Sequence, residues 1–402
     1  MNFDLTEEQI TLQRDAWEFA QREFTAEYAM EFDRNRRYPS EAHHKACASG
    51  LVGVHLPREY GGRNAGLMGS VLVIEALCRK DPGLGMSISL CSLGSQFTLH
   101  LGTREQKQRI LPAVTSGEMI TAVGFTEPDH GSDITDLATT AVRDGDQYVI
   151  NGVKTLISNG QQARVITVLC KTDPAVRPHH RGFSLILVEM DRDGVSSVDL
   201  GEKMGLHMMS TSEVTFKNVR VPVANLLGQE NRGFYHTMEF LDQTRVEVAA
   251  QGLGGAQAAM DRAIAHLRER TQSGRRLADY PINQHKIAEM ATKVEAARLI
   301  TYRAAWNHDH RGPDPKLASM AKLYATRTAV EVAEETIQLF GGRGYFAKWD
   351  IDRIYRDVRV TEIYEGTREI QKNTIAGYVL GKDAPEAEAI GLKKRNPSGV
   401  GS

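Results

Sequence analysis

Residues 355–371 read YRDVRVTEIYEGTREIQ, and this stretch places one carboxylate, Glu365, between Tyr364 and Gly366, with the Thr367 hydroxyl close behind. Gly366 has no side chain to keep a ligand from the backbone. A carboxylate at a tight apolar turn is one whose pKa burial lifts toward neutrality, the range that suits a general base. A Glu-Gly-Thr triplet in isolation is also what a solvated loop looks like. Its meaning therefore depends on the chain around it.

Upstream of this stretch the apolar positions recur at helical spacing. Val246, Ala249, Leu253, Ala256, Met260, Ala263, Ile264 and Leu267 draw one stripe. Gly252, Gly254 and Gly255 lie within it, which costs helix propensity and points to close helix packing. Further helices are expected over about 283–306 and 317–340. Between 120 and 227 the rhythm changes to short β-rich runs at 147–150, 165–170, 183–188 and 214–221, separated by Asp, Gly, Asn and Pro. Asp144-Gly145 and Asn151-Gly152 read as hairpin-type turns flanking the first run. Residues 5–111 are again helical, opening on a capping pattern at Thr6 and closing at Leu111-Pro112. The order is helical, β, helical: an α+β chain with regions 1–119, 120–229 and 230–382. Residues 383–402, with Pro, Gly and Lys and no core-forming pattern, are expected to be a mobile tail.

Composition excludes several function classes. A net charge of −2 over 402 residues gives no basic field for nucleic acid or an anionic membrane. No apolar run approaches the roughly 18 residues that span a bilayer. Cys47, Cys78, Cys91 and Cys170 are scattered with no CxxC pair, which argues against a disulfide framework or zinc site and fits a reducing cytoplasm. The acidic, amphipathic N-terminus does not read as a signal or transit peptide. Residues 342–347 match G-x-G-x-x-A, but a dinucleotide fingerprint needs a preceding strand and here a helical pattern precedes it. His43-His44 and His179-His180 read as surface pairs with diverging side chains, so no metal site is expected. No GxSxG elbow is present.

Five segments together resemble the acyl-CoA dehydrogenase family. GFTEPDHGSD at 124–133 resembles its first signature, KTLISNG at 154–160 its flavin-contact strand, and QLFGGRGY at 338–345 its second signature. LDQTR at 241–245 is similar to the segment that meets the CoA thioester, and IYEGT at 363–367 resembles the catalytic turn. The matches fall in family order and spacing over about residues 1–380. The resemblance implies an N-terminal helical domain, a middle antiparallel β domain and a C-terminal four-helix bundle. It also implies an FAD-dependent flavoprotein oxidoreductase that converts an acyl-CoA to a trans-2-enoyl-CoA. Glu365 would take the α-proton, flavin N5 the β-hydride, and an electron-transferring flavoprotein the electrons. Enolate stabilisation would come from the Glu365 backbone N–H and a flavin hydroxyl.

Carried over by position, FAD contacts fall on Phe125, Thr126, Gly131, Ser132, Leu156, Ile157 and Ser158, and on Arg270, Gln338, Gly341, Gly342 and Thr367. Of the second set, Arg270, Gln338, Gly341 and Gly342 would reach the cofactor across a dimer within a homotetramer, a dimer of dimers, while Thr367 follows the base. Ser132, Asp242, Arg245, Tyr364 and Gly366 would touch the acyl-CoA. Some relatives carry the base near Thr244, which a threonine cannot replace; Glu247, a turn further on, reads as structural. Glycine at 85, where glutaryl-type relatives carry an arginine, argues against decarboxylation of a dicarboxylic substrate. Gly85, Met86, Ser89 and Cys91 fall on the helix that lines the acyl chain in relatives, compatible with branched, cyclic or medium acyl groups. Departures from the family pattern occur at His130, Asp136, Leu156, Ser273, Pro281 and Lys348. Two other readings use the same scaffold: a flavin-dependent monooxygenase or desulfinase, which Glu365 counts against, and a non-catalytic CoA-binding paralogue.

Overall fold

Several helices begin where the chain supplies a side-chain cap. Thr6 Oγ1 accepts from Gln9 N–H while the Gln9 side chain accepts from Thr6 N–H, a capping box that opens α1 (Glu7–Glu23). The computed structural model describes residues 4–381, so the tail expected at 383–402 lies outside the described residues. After α1 come α2 (Ala26–Asn35), α3 (Ser40–Ala48), α4 (Gly66–Lys80), α5 (Pro82–Ser89), α6 (Ser95–Leu101) and α7 (Arg104–Ser116). Pro112 does not close the helical region as expected. It lies inside α7, which runs on to a left-handed Gly117; burial of Ile110, Leu111 and Val114 around it outweighs the backbone bond a proline forfeits. His43 is likewise not on the surface. It is buried, its ring stacked on His44 at 5.7 Å, and burial lowers its pKa to about 4, so it is a neutral core residue.

Eight strands form the middle sheet: β1 (Thr121–Gly124), β2 (Thr140–Asp144), β3 (Gln147–Ser158), β4 (Val165–Lys171), β5 (Phe183–Glu189), β6 (Val195–Asp199), β7 (Thr211–Pro222) and β8 (Leu226–Leu227). Their order is β6-β7-β3-β2-β4-β5-β8, with β1 beside β4. Pairing is antiparallel as expected, apart from β1 against β4 and one bridge between β2 and β4. Gly145 supplies the β2–β3 turn. Asn151-Gly152 makes a bulge inside β3 and not a turn: the register with β7 slips there, and a Cβ on Gly152 would meet Thr139 Oγ1 at 2.3 Å.

The chain then enters α8 (Gly233–Glu269), crosses the two-stranded hairpin β9 (Thr271–Gln272) and β10 (Arg275–Arg276), and continues as α9 (Pro281–Arg311), α10 (Pro315–Phe340), α11 (Ile351–Arg359) and α12 (Arg368–Leu380). α8, α9, α10 and α12 make the bundle. The three α8 glycines face three neighbours. A Cβ on Gly252 would meet Thr326 Cα of α10 at 3.0 Å, on Gly254 Glu75 O of α4 at 2.6 Å, and on Gly255 Val358 Cγ1 of α11 at 2.5 Å. Two family departures have local reasons here. Ser273 occupies a left-handed position of the β9–β10 turn, and Pro281 the first turn of α9, where a proline fits.

One buried cation joins these parts. Arg353 on α11 binds Asp81 at 2.5 Å, Asp350 at 2.7 Å and Asp357 at 3.4 Å. Asp81 also caps α5 through Leu84 N–H at 2.9 Å, and Asp357 accepts Leu206 N–H, from the segment leading into β7, at 2.7 Å. Burial pushes the Asp357 carboxyl up to about 7 against the pull of Arg353, whereas at Asp81 the guanidinium outweighs burial and holds the carboxyl below its usual range. Replacing Arg353 by Met strands three buried acids and should cost about 3–5 kcal/mol. Urea unfolding of Arg353→Met measures this; an unchanged midpoint would show that the cluster carries no stability.

Candidate active site

α11 runs into a 3-10 turn over Val360–Glu362, and the chain reverses through residues 363–367 before Thr367 caps α12. In that reversal Glu365 has φ 55° and Gly366 φ 89°. A non-glycine residue there stores strain of about 1–2 kcal/mol, which persists only where the surroundings over-determine it. They do so from three sides. Lys322, buried on α10, donates to Tyr364 O at 2.6 Å and to Gly366 O. Gln371 Nε2 donates to Gly366 O at 2.8 Å and Glu365 O at 3.2 Å. Tyr364 OH donates to Gln251 Oε1 on α8, whose amide donates to Ser89 Oγ on α5 at 3.2 Å.

The half-buried Glu365 side chain turns toward α8, where Thr244 Oγ1 donates to Oε2 at 2.6 Å. Burial raises the Glu365 pKa above the ordinary carboxylate value, while Thr244, Lys322 and Arg245 pull it back. Burial acts on its cationic neighbour in the opposite sense, lowering Lys322 to about 7 although Glu365 favours its charged form. Both shifts have one origin, the loss of water around a buried lysine and a half-buried glutamate, and each group is held less strongly charged than in solution. Asp242 is raised to about 7 by burial, despite Arg245 at 3.2 Å. Arg245 Nε is buried without a hydrogen-bond partner.

The sequence-selected residues fall into three groups. Glu365, Tyr364, Gly366, Thr367, Asp242 and Arg245 meet where α8, α10 and the reversal converge. Phe125, Thr126, Gly131, Ser132, Leu156, Ile157 and Ser158 form a second group on the sheet, joined where Thr155 N–H donates to Thr126 O at 2.9 Å. A ring cluster connects the two: Phe125 lies 5.9 Å from Phe240 on α8, with Phe97 packed against both. Leu156 stands 62% exposed with φ 58° at a β-bulge. Arg270, Gln338, Gly341 and Gly342 are elsewhere, at the far ends of α8 and α10, where His266 stacks on Phe340 at 4.1 Å. Thr244 and Arg270 are 26 residues apart on α8, about 40 Å along its axis. Within one chain this third group does not reach Glu365.

Three functional-site residues were not legible as such. Lys322 was detectable as a lysine within the buried stripe of Ala318, Ala321 and Ala325. Glu127 and Lys154 lie inside the quoted motifs, and pair at 2.8 Å in full burial. Glu127 also accepts Ala138 and Thr139 N–H, and Lys154 donates to Phe125 O at 3.0 Å, so this pair shapes the loop that carries Gly131 and Ser132. Thr244, excluded as a base, turns out to be the hydrogen-bond partner of Glu365.

Family models match nearly the whole described chain: acyl-CoA dehydrogenase N-terminal domain over 6–118, middle domain over 122–219 and C-terminal domain over 231–380. The chain belongs to the acyl-CoA dehydrogenase family. Members of this family are FAD-dependent oxidoreductases. The chain is 38% identical to the acryloyl-CoA reductase (NADH) of Anaerotignum propionicum, covering 94% of this chain and 96% of that protein. It is 37% identical to an acyl-CoA dehydrogenase of Bacillus subtilis, covering 94% and 99%. The solved butyryl-CoA dehydrogenase of Megasphaera elsdenii superposes with TM-score 0.90 at 33% identity, covering 94% of this chain and all of that one.

In this acyl-CoA dehydrogenase scaffold Lys322 is a positioning residue for the Glu365 turn. Lys322→Met leaves two carbonyls short of a donor and should cost about 1–3 kcal/mol, concentrated locally. Hydrogen exchange should therefore accelerate at the amides of residues 363–368 while the centre of α10 stays protected. Unchanged exchange in the turn would remove this role.

Proposed function

We propose that this protein oxidises an acyl-CoA thioester to the trans-2-enoyl-CoA, with Glu365 as the base. One observation carries the reading: a half-buried carboxylate on a strained, triply anchored turn, its oxygen fixed by Thr244 and its pKa raised by burial. Such a group is aimed and poised to remove a weakly acidic proton. The α-proton passes to a Glu365 oxygen, and the electron pair of that C–H bond delocalises toward the thioester carbonyl. Glu365 N–H, adjacent to the base, stabilises the developing oxyanion. Arg245 and Asp242 position the thioester, and Tyr364 and Gly366 close the wall beside it. Bound FAD would supply the acceptor for the β-hydride.

The residues present fit that cofactor. At Gly131, Gly341 and Gly342 a Cβ would meet nothing within 4 Å, leaving open backbone for a ligand to approach. Phe125, Thr126, Ser132, Leu156, Ile157, Ser158 and Thr367 would hold its flavin end. Arg270 and Gln338, with Gly341 and Gly342, would hold the pyrophosphate end of a neighbouring subunit's FAD. Their distance from Glu365 supports that arrangement and, with it, a homotetramer. Four free, buried cysteines suit a cytoplasmic enzyme, and among the described residues no helix is long and apolar enough to cross a membrane. The electrons would leave to an electron-transferring flavoprotein. A second reading, reduction of a 2-enoyl-CoA at the same site, is favoured by the resemblance to the Anaerotignum reductase. It uses the same residues in reverse, with protonated Glu365 as acid.

The test is anaerobic titration of the purified protein with a panel of saturated acyl-CoAs. The expected result is flavin bleaching with release of enoyl-CoA and, in air, no product oxygenation; a protein without flavin would be a binding paralogue. A second outcome concerns pH. Flavin reduction should rise with pH through the Glu365 pKa, because only the carboxylate accepts the proton. Thr244→Val removes a hydrogen bond that favours the carboxylate, worth about 1.5–3 kcal/mol, so the acidic limb should move up by about one to two pH units. Stopped-flow reduction against pH measures it, and a limb that stays in place would separate Thr244 from the base.

A further inference from the structure

One helical turn along α8 from Thr244, the partner of Glu365, lies a small chamber of mixed chemistry. It is lined by the 51–55 segment, α4, α5, α6 and α8, with a volume of about 40 Å³, more than the roughly 10–15 Å³ that a single water needs. Its polar wall is His55, Ser70, Ser89, Ser92, Gln96 and Glu247; the rest is aliphatic apart from Gly53, and no lysine or arginine lines it. Of the acyl-lining candidates at Gly85, Met86, Ser89 and Cys91, only Ser89 lines this chamber. Gly85 packs on α4, where a Cβ would come within 2.6 Å of Cys78 N, and Met86 and Cys91 are fully buried. An arginine at position 85 has no room.

Two links tie the chamber to the reacting end. Ser89 receives Gln251, which receives Tyr364, the neighbour of Glu365. Glu247 follows Thr244 by three residues on the same face of α8, close enough for the Glu365 charge to act on it. The wall is also under-satisfied. His55 Nε2 is buried without a partner while its Nδ1 faces Ser70 Oγ at 3.3 Å. Burial keeps this ring neutral down to about 4 and pushes the Glu247 carboxyl, bonded by Gln243 at 3.2 Å, up to about 7. A buried polar group left unpaired costs more than a made hydrogen bond returns, so an aliphatic tail is a poor occupant. A carboxylate tail would meet Glu247 with no cation to balance it.

Resting on the dehydrogenase reading above, we infer that this chamber receives the far end of the acyl group and selects short acyl-CoAs that end in a neutral hydroxyl, with Glu247 as the specificity-determining residue. The hydroxyl donates to Glu247 and accepts from His55, whose Nε2 is the unpartnered atom of the wall. A site that hydrogen-bonds a substrate hydroxyl rejects the analogue lacking it far more strongly than an apolar pocket rejects an added methylene.

The experiment compares butyryl- and hexanoyl-CoA with their ω-hydroxyl counterparts on the holoenzyme, reading kcat/KM with a dye acceptor and Kd by calorimetry. The wild type should favour a hydroxylated thioester by about tenfold or more. Glu247→Val should reverse this through KM and Kd of the hydroxylated thioester, while Glu247→Gln retains it. His55→Phe provides a second variant should Glu247→Val fail to fold. A wild-type preference for the plain thioesters, or a ratio unmoved by both variants, overturns the inference and leaves the dehydrogenase reading standing. No flavin reduction by any of the four thioesters removes that reading, and this inference with it.

Discussion

A single guanidinium shared by three buried carboxylates is the constraint on which this structure turns. Arg353 draws the cap of α5, the start of α11 and, through Asp357, the segment leading into β7 onto one point. Breaking a buried pair is far costlier than its net stabilising value suggests, because the partners left behind are uncompensated. The cluster therefore works chiefly as a register device. It fixes where α11 ends, and the end of α11 fixes where the reversal bearing Glu365 begins.

That reversal runs against local preference. Glutamate in the left-handed region, a lysine out of water and a carboxylate whose ionisation burial opposes all reduce stability. Lys322, Gln371 and Tyr364 offset these costs by fixing the backbone on both sides of Glu365. The result is a carboxylate held in one orientation, which is the preorganisation that the proposed role as a base requires. Glu127 and Lys154 play the corresponding part on the sheet, where a buried ion pair and two backbone N–H bonds shape the loop next to Thr126.

Much of this was legible in the chain. The long helices and the strands after 147 declared themselves because each buries one face at its own period, and the α8 glycines mark the close approaches of α4, α10 and α11. What escaped were features whose cause is tertiary. Pro112 stays helical because its neighbours are packed, and Asn151-Gly152 bulges because Thr139 lies against it. His43 is a core residue with no sequence mark of burial, and no sequence pattern announces the chamber that Glu247 lines. Glu365 could be selected from its motif, but the clasp that holds it comes from residues 43 positions upstream and six downstream.

Transfer of the α-proton to Glu365 is tested most directly by exchange at the α-carbon: holoenzyme with a tightly bound acyl-CoA in deuterated buffer, followed by NMR, for wild type and Glu365→Gln. Deuterium is expected at the α-carbon with the wild type, and none with the variant although it binds the thioester as tightly. Exchange at the wild-type rate in Glu365→Gln would contradict it and place the base elsewhere.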